Sequence, residues 1–192
     1  MKKIPTLFVR TYSNRRMATP EVVHGFEWVA LGRGEATEKV DGAACAIIGG
    51  RFYKRYDAKA GKTPPKGAIP CQHEPDANGH WPHWVKVDKE SNADRRFVNA
   101  YYNTPWAVED GTYEAVGIHF QKNPYGLDDD YLEPHGRIKL KDCPRDYDGI
   151  REYLRTHEIE GIVFWLNGEP KCKIKRSDFG FEWPIKQTEA VK

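Results

Sequence analysis

The sequence predicts a mixed chain of antiparallel strands joined by hairpins, with two amphipathic helices set among them. Three observations carry that reading. Gly49-Gly50 and Asn167-Gly168 are two-residue hairpin turns between strand-like runs, the second being the strongest short hairpin signal in the chain. Apolar residues recur at helical spacing in two stretches only, Asn92 to Asn103 and Asp146 to Glu158, with Pro105 just beyond the first. The composition, 39% apolar and 30% charged over 192 residues, suits one globular domain with a real core and excludes a disordered or fibrous chain.

Along the chain, Leu7-Phe8-Val9 is a short apolar run, followed by Arg10 and the pair Arg15-Arg16, a candidate nucleic-acid contact. Phe26 to Ala30 alternates as a half-buried strand would, and Gly32 and Gly34 then break the chain. Next stands Glu38-Lys39-Val40-Asp41-Gly42, ahead of the strand-like Ala43 to Ile48. This arrangement holds an amine at the mouth of a sheet. Asp-Gly favours a tight turn, and the glycine allows a ligand to approach the backbone. Past the first hairpin, Arg51, Tyr53 and Arg55 share one strand face, so Arg55 lies on a strand paired with the one that follows Lys39.

Residues 58–84 read as a long loop. Lys59, Lys62 and Lys66 suit contact with a polyanion. Cys71, His73, His80 and His83 lie in the same loop, but C-x-H with H-x-x-H is not a common structural-zinc spacing. The first helix sets Phe97, Ala100 and Tyr101 on one face, and the second sets Tyr147, Ile150 and Leu154 inward. Gly111 to Ile118 reads as a strand in which Glu114 faces away from Tyr113. Asn123-Pro124-Tyr125-Gly126 is a turn, and Asp128 to Asp130 reads as a solvated acidic run. Ile159 to Leu166 is a buried strand with Glu160 and Gly161 at its start. In the last strand Lys171, Lys173 and Lys175 share one face, opposite Cys172 and Ile174. Like charges ~7 Å apart repel unless an anion lies over them.

The net charge of +2 gives no whole-chain nucleic-acid signature, so phosphate binding must come from local clusters. No apolar run approaches the ~20 residues of a membrane span, and the N-terminus lacks a signal-peptide core. Four cysteines without a C-x-x-C pair fit reduced thiols in a cytoplasmic protein.

Taken singly, each charged feature has a bland reading. Lys39 is then a solvated ammonium, Arg55 an exposed strand cation, Glu114 and Glu160 water-facing carboxylates, and the lysines a guard on an edge strand. Their order is what carries chemistry: K-V-D-G at 39–42, a basic strand to Arg55, T-Y-E at 112–114, E-G-I-V at 160–163 and K-I-K at 173–175. This series resembles the covalent nucleotidyltransferase superfamily of ATP-dependent DNA and RNA ligases and mRNA capping enzymes. More narrowly, Thr37 to Gly42, Asn123 to Leu127 and Pro134-His135-Gly136 resemble the RNA ligase 1 family, the 5′–3′ RNA ligases of vertebrates, phages and bacteria.

The resemblance implies an α+β adenylyltransferase domain of twisted antiparallel sheets with flanking helices, spanning 1–192 as a single domain without a separate OB-fold. It implies ATP and Mg²⁺ (or Mn²⁺) as cofactors, and RNA with 5′-phosphate and 3′-hydroxyl ends as substrate. Lys39 would attack the α-phosphorus of ATP, and AMP would pass to the RNA 5′-phosphate before the 3′-hydroxyl displaces it. Lys173 and Lys175 would clamp phosphate and, with the metal, favour the neutral amine of Lys39. Glu114 would hold ribose hydroxyls and Glu160 would orient a metal-bound water. Arg55 would meet the ribose or the 5′-phosphate, and Glu38 would help position adenine. Tyr125 and Phe120 are the aromatic residues considered for stacking on the base. Two other readings compete: a GTP-dependent capping guanylyltransferase, disfavoured by the missing second domain, and a non-catalytic nucleotide- or RNA-binding module.

Overall fold

The computed structural model describes residues 1–11, 16–59, 61–105 and 109–185. The chain divides into two compact units. Unit 1 holds Met1–Lys3 and Asp41–His135, and unit 2 holds Ile4–Val40 and Gly136–Lys192. The chain crosses from one to the other between Lys3 and Ile4, between Val40 and Asp41 inside the K-V-D-G motif, and between His135 and Gly136.

In chain order the strands are β1 (Phe8–Arg10), β2 (Ala18–Val22), β3 (Glu35–Glu38), β4 (Ala43–Ile48), β5 (Arg51–Lys59), β6 (Ile69–Pro70) and β7 (His80–Lys86). Helix α1 (Arg95–Asn103) follows, then β8 (Gly111–Val116), β9 (Tyr131–Pro134), α2 (Tyr147–Thr156), β10 (Gly161–Leu166) and β11 (Glu169–Lys175). The chain is mixed, mostly sheet, and every strand pair within the sheets is antiparallel.

Unit 1 is built on a six-stranded sheet in the order β6-β7-β5-β4-β8-β9. Both predicted hairpin ends of β4 and β5 are present, with Ile48 opposite Arg51 across Gly49-Gly50. One face packs under α1: Cys45, Ile47, Tyr113, Ala115 and Leu132 are buried with Phe97 and Ala100 of the helix. A 3₁₀ turn at Asn92–Asp94 leads into α1, and buried Asp94 ion-pairs with Lys54 on that face.

Unit 2 carries a three-stranded sheet, β11-β10-β3, and the β1-β2 ribbon. Ile162, Phe164, Cys172, Ile174 and Ala36 form one face, buried against Ile150 and Leu154 of α2. Asp146 caps α2 by accepting from the Gly149 amide at 2.9 Å, which explains why the helix begins one residue later. Both sheet edges are covered. Leu7 N donates to Lys173 O on one side, and Glu38 N donates to Ile138 O on the other.

Three expectations change. Phe26 to Ala30 is not a strand: its amides close turns, with Val29 N to Phe26 O at 3.0 Å and Gly32 N to Val29 O at 2.9 Å. Five alternating residues are too few to specify pairing when local i→i+3 bonds compete. The loop expected over 58–84 shrinks, because β7 begins at His80 and pairs along β5 from Lys59 to Tyr53. There His83 is buried with Nδ1 against Trp81 O, and His80 meets the Asp57 carboxylate at 2.5 Å. Asp130 is fully buried rather than solvated, accepting from His119 N and facing His119 Nδ1. Of the basic pair, Arg15 lies outside the described residues and Arg16 is exposed.

Candidate active site

The sequence-predicted residues form two groups, one in each unit. In unit 2, β3, β10 and β11 bring three lysines to the sheet face that α2 does not cover. Ile162 pairs with Glu38, and Lys39 N donates to Gly161 O at 2.8 Å, so Lys39 continues β3 level with Gly161. Gly161 pairs in turn with Lys175. Lys39, Gly161 and Lys175 thus make one row across the sheet. Thr37, Val163 and Lys173 make the next row on the same face.

Strand spacing sets the backbones of Lys39 and Lys175 about 10 Å apart, and two residues along β11 separate Lys173 from Lys175 by about 7 Å. Between the flanking lysines, Gly161 contributes no side chain. A Cβ there would stand 2.3 Å from the Ile174 carbonyl oxygen and 3.0 Å from Lys175 Cα. The E-G of the E-G-I-V motif therefore has a packing reason for its glycine.

Glu160 precedes β10 and reaches Lys39: Nζ to Oε2 is 2.5 Å, with the side chains 20% and 12% exposed. An ammonium and a carboxylate this close and this sheltered hold one another in place and give the lysine proton an acceptor. Lys171, the third lysine of the alternating strand, stands beside a register shift and ion-pairs locally with Glu169. Glu38 lies on the other side of β3 from Lys39, level with buried Ile162. The nearby Tyr153 phenol is pushed up chiefly by burial, with the charge of Glu38 as the smallest contributor.

In unit 1, Arg55 and Glu114 share the sheet face opposite α1. Ala44 pairs with Glu114, and the Cys45–Lys54 pairing continued by one residue sets Arg55 level with Ala44. Trp84 pairs with Arg55 on one side, and Glu133 pairs with Glu114 on the other. Arg55 and Glu114 thus flank a floor of small residues, Ala44 and Ala46, with about 10 Å between their backbones. Glu114 Oε1 meets His135 Nε2 at 3.0 Å, with the side chains 12% and 15% exposed. Glu114 Oε2 and His135 Nδ1 are both buried without a hydrogen-bond partner. A buried carboxylate oxygen left unpaired is costly, and a ligand hydroxyl would satisfy it. The Cys45 thiol is pushed well up by burial and, second, by the Glu114 charge.

Two further features of unit 1 surround the motif. Asp41 N donates to Tyr125 Oη at 2.6 Å, and Gln121 Nε2 donates to Gly42 O at 3.0 Å. Gln121, Lys122 and Asn123 all have positive φ, a strained run in front of Pro124-Tyr125. Tyr125 thus braces the Asp41-Gly42 turn. Gly42 is needed for another backbone rather than for a ligand: a Cβ there would lie 2.4 Å from Ala115 O on β8. Phe120 is buried against Phe97 and has no face to offer a base. His135 is the residue whose role sequence reasoning missed. It lies in the noted P-H-G triplet, but only the sheet register brings it to Glu114.

A family model described as RNA ligase 1 matches residues 105–192, a span that includes Glu114, His135, Glu160, Lys173 and Lys175. Curated proteins named RNA ligase 1 from Rattus norvegicus and Mus musculus are 28% and 29% identical to this chain over 146 residues. Each match covers 59% of this chain and 45% of the relative. One from Danio rerio is 26% identical over 227 residues, covering 80% of this chain and 69% of the relative. The chain is similar to proteins named RNA ligase 1. The resemblance read from the K-V-D-G, N-P-Y-G-L and P-H-G motifs is the one the comparisons find. The chain spans less than half the length of the rat and mouse relatives. Among the described residues no helix is long and apolar enough to cross a membrane.

Proposed function

We propose that this chain is an ATP-dependent RNA ligase that joins 5′-phosphate to 3′-hydroxyl RNA ends through a lysyl-AMP on Lys39. One observation carries the reading: Lys39, paired with Glu160, shares a sheet face with Lys173 and Lys175, and the residue between Lys39 and Lys175 in its row is a glycine that adds no side chain to that face. A nucleophilic amine, a carboxylate to take its proton and two cationic residues on the same sheet face are the parts nucleotidyl transfer needs.

In the first step Lys39 Nζ gives up a proton to Glu160 and forms a bond to the α-phosphorus of ATP. The bond from that phosphorus to the bridging oxygen breaks, and pyrophosphate leaves. Lys173 and Lys175 neutralise charge on the phosphate oxygens as the transition state forms. In the second step an oxygen of the RNA 5′-phosphate takes the AMP, and Lys39 recovers its electron pair and a proton. In the third the RNA 3′-hydroxyl attacks the activated 5′-phosphate, and AMP departs.

Mg²⁺ or Mn²⁺ would be held by this chain only in company with the nucleotide. Glu160 offers one carboxylate and the nucleotide would offer the rest, as Mg²⁺ commonly binds; no group of three acidic, His or Cys ligands is found among the described residues. When bound, the ion would supply charge neutralisation at the phosphates. Glu114, through its unpaired buried Oε2, is the ribose-hydroxyl acceptor, oriented by His135. Arg55 takes a phosphate or the ribose. Glu38 remains the residue assigned to the adenine by resemblance.

Intact-mass spectrometry after incubation with Mg²⁺ and ATP or GTP tests the reading. Wild type should gain one AMP, about 329 Da, and Lys39→Ala should gain nothing. A gain with GTP alone would move the chain to capping chemistry. No gain with either nucleotide, on folded protein not already adenylylated, would leave only a binding module.

A further inference from the structure

Beside α1, unit 1 contains a cavity of about 560 Å³ that the reading above does not use. Phe52, Tyr101 and Tyr102 supply its aromatic wall, and Arg51, Lys86 and Lys89 supply cations. Asp88 is the only carboxylate among its lining residues, which leaves the lining with a formal excess of two positive charges. By strand alternation Phe52 faces the α1 side of the sheet, opposite the face of Glu114 and Arg55, whereas Arg51 and Lys86 alternate to that other face and border the cavity from the strand ends. Within unit 1 the cavity is therefore separate from the candidate ribose site.

Of the aromatic wall, Phe52 and Tyr101 pack on the unit 1 core and Tyr102 stands outside it. Phe52 and Tyr101 lie with ring centroids 5.2 Å apart, and Tyr102 stands edge-on to Tyr101 at 5.5 Å. Yet Tyr102 is 62% exposed, near the C-terminal end of a helix whose other flank is packed. Lys89 Nζ lies 5.1 Å from the Tyr102 ring centroid and donates to its hydroxyl at 2.8 Å. An exposed ring with an ammonium held at its edge matches a ligand that has both a flat π-face and an adjacent anion. An acidic peptide would match the cations but leave the ring unused. Duplex RNA would match the cations but keeps its base faces stacked inside. An unpaired nucleotide matches both, and 560 Å³ lies within the usual range of ligand cavities.

We propose that the cavity beside α1 binds one unpaired nucleotide of an RNA strand, its base stacked on the exposed Tyr102 ring and its phosphate beside Lys89, with Lys86 and Arg51 on the cavity's rim. The proposal rests on the RNA-ligase reading for its choice of RNA, and its readout is independent of adenylylation.

Fluorescence anisotropy with a short, fluorescein-labelled oligouridylate measures it. Tyr102→Ala should raise Kd roughly 5- to 100-fold, the range for losing one stacked base, while Tyr102→Phe should bind as wild type. Lys86→Ala with Lys89→Ala should reduce the slope of log Kd against log salt by about 0.7, the value for the one phosphate placed there. All of these variants should still take up AMP on Lys39, because none of the altered residues is among those assigned to the nucleotide. Unchanged RNA affinity in both Tyr102→Ala and the double lysine variant would overturn the proposal, as would wild type that binds no oligouridylate. Tyr102-dependent binding of free AMP but not of the oligonucleotide would also overturn it, by making the cavity a free-nucleotide site. If wild type fails to take up AMP yet shows Tyr102-dependent RNA binding, the ligase reading falls and this one stands.

Discussion

Replacing Gly161 with alanine tests whether the three-lysine face is set by the β10–β11 register. The new Cβ would stand 2.3 Å from the Ile174 carbonyl oxygen, against a usual carbon–oxygen contact of about 3.3 Å. The shortfall is about 1 Å, and the obstructing atoms are backbone, so no side chain can turn aside. Relief requires β11 to move away from β10 where Gly161 pairs with Lys175. That movement weakens one or two ladder hydrogen bonds, each worth ~1 kcal/mol, and adds overpacking strain of ~1–3 kcal/mol. The expected destabilisation is about 2–5 kcal/mol, a fall in urea midpoint of about 1–2 M at a slope of ~2–3 kcal/mol/M. Lys175 moves with its strand. AMP uptake at a temperature where the variant is fully folded should therefore slow by more than 10-fold. Urea titration by circular dichroism, with AMP uptake followed by mass, reads both. A midpoint within a few tenths molar of wild type, with uptake unchanged, would refute the packing argument and the claim that register sets the lysine face.

Glu114→Gln should weaken ATP binding by about 10-fold or more without altering the urea midpoint, measured by calorimetry on a Lys39→Ala background that cannot turn over; equal affinity would remove Glu114 from the site. The cysteines should differ in reactivity. All four are free, but Cys45, Cys143 and Cys172 are buried, and burial pushes the Cys143 and Cys172 thiols up to about 11 and about 12. Ellman's reagent at pH 8 should therefore titrate one thiol, half-buried Cys71, in native protein and four in denaturant. Because these folded-state thiols hold their protons more tightly than in the unfolded chain, their contribution to stability is complete below about pH 9. It should fall as pH rises toward 11 to 12, seen as a lower urea midpoint.

Much of the local structure was legible in the sequence because it depends on short-range rules. Asn167-Gly168 and Gly49-Gly50 fix turns through backbone conformations few residues accept, and both stand between paired strands. The alternation of Lys173 and Lys175 with Cys172 and Ile174 follows from the two-residue period of a strand, and burial divides them as that period requires. Both helices were readable because 3.6-residue spacing needs no knowledge of what covers it. The K-V-D-G, E-G and K-I-K motifs were legible as types in a fixed order.

What tertiary structure decided is which distant residues share a row. Lys39 meets Glu160 across 121 positions, and His135 reaches Glu114 only because β8 and β9 pair in one particular register. Burial of Asp130 and Phe120 likewise depends on what packs over them, which an acidic run or a lone aromatic does not encode. The two motif glycines show the difference most plainly. Sequence marked Gly42 as room for a ligand, whereas the fold places the Ala115 carbonyl there, and Gly161 makes way for Ile174. A glycine announces close approach, but only the assembled sheet determines which backbone approaches.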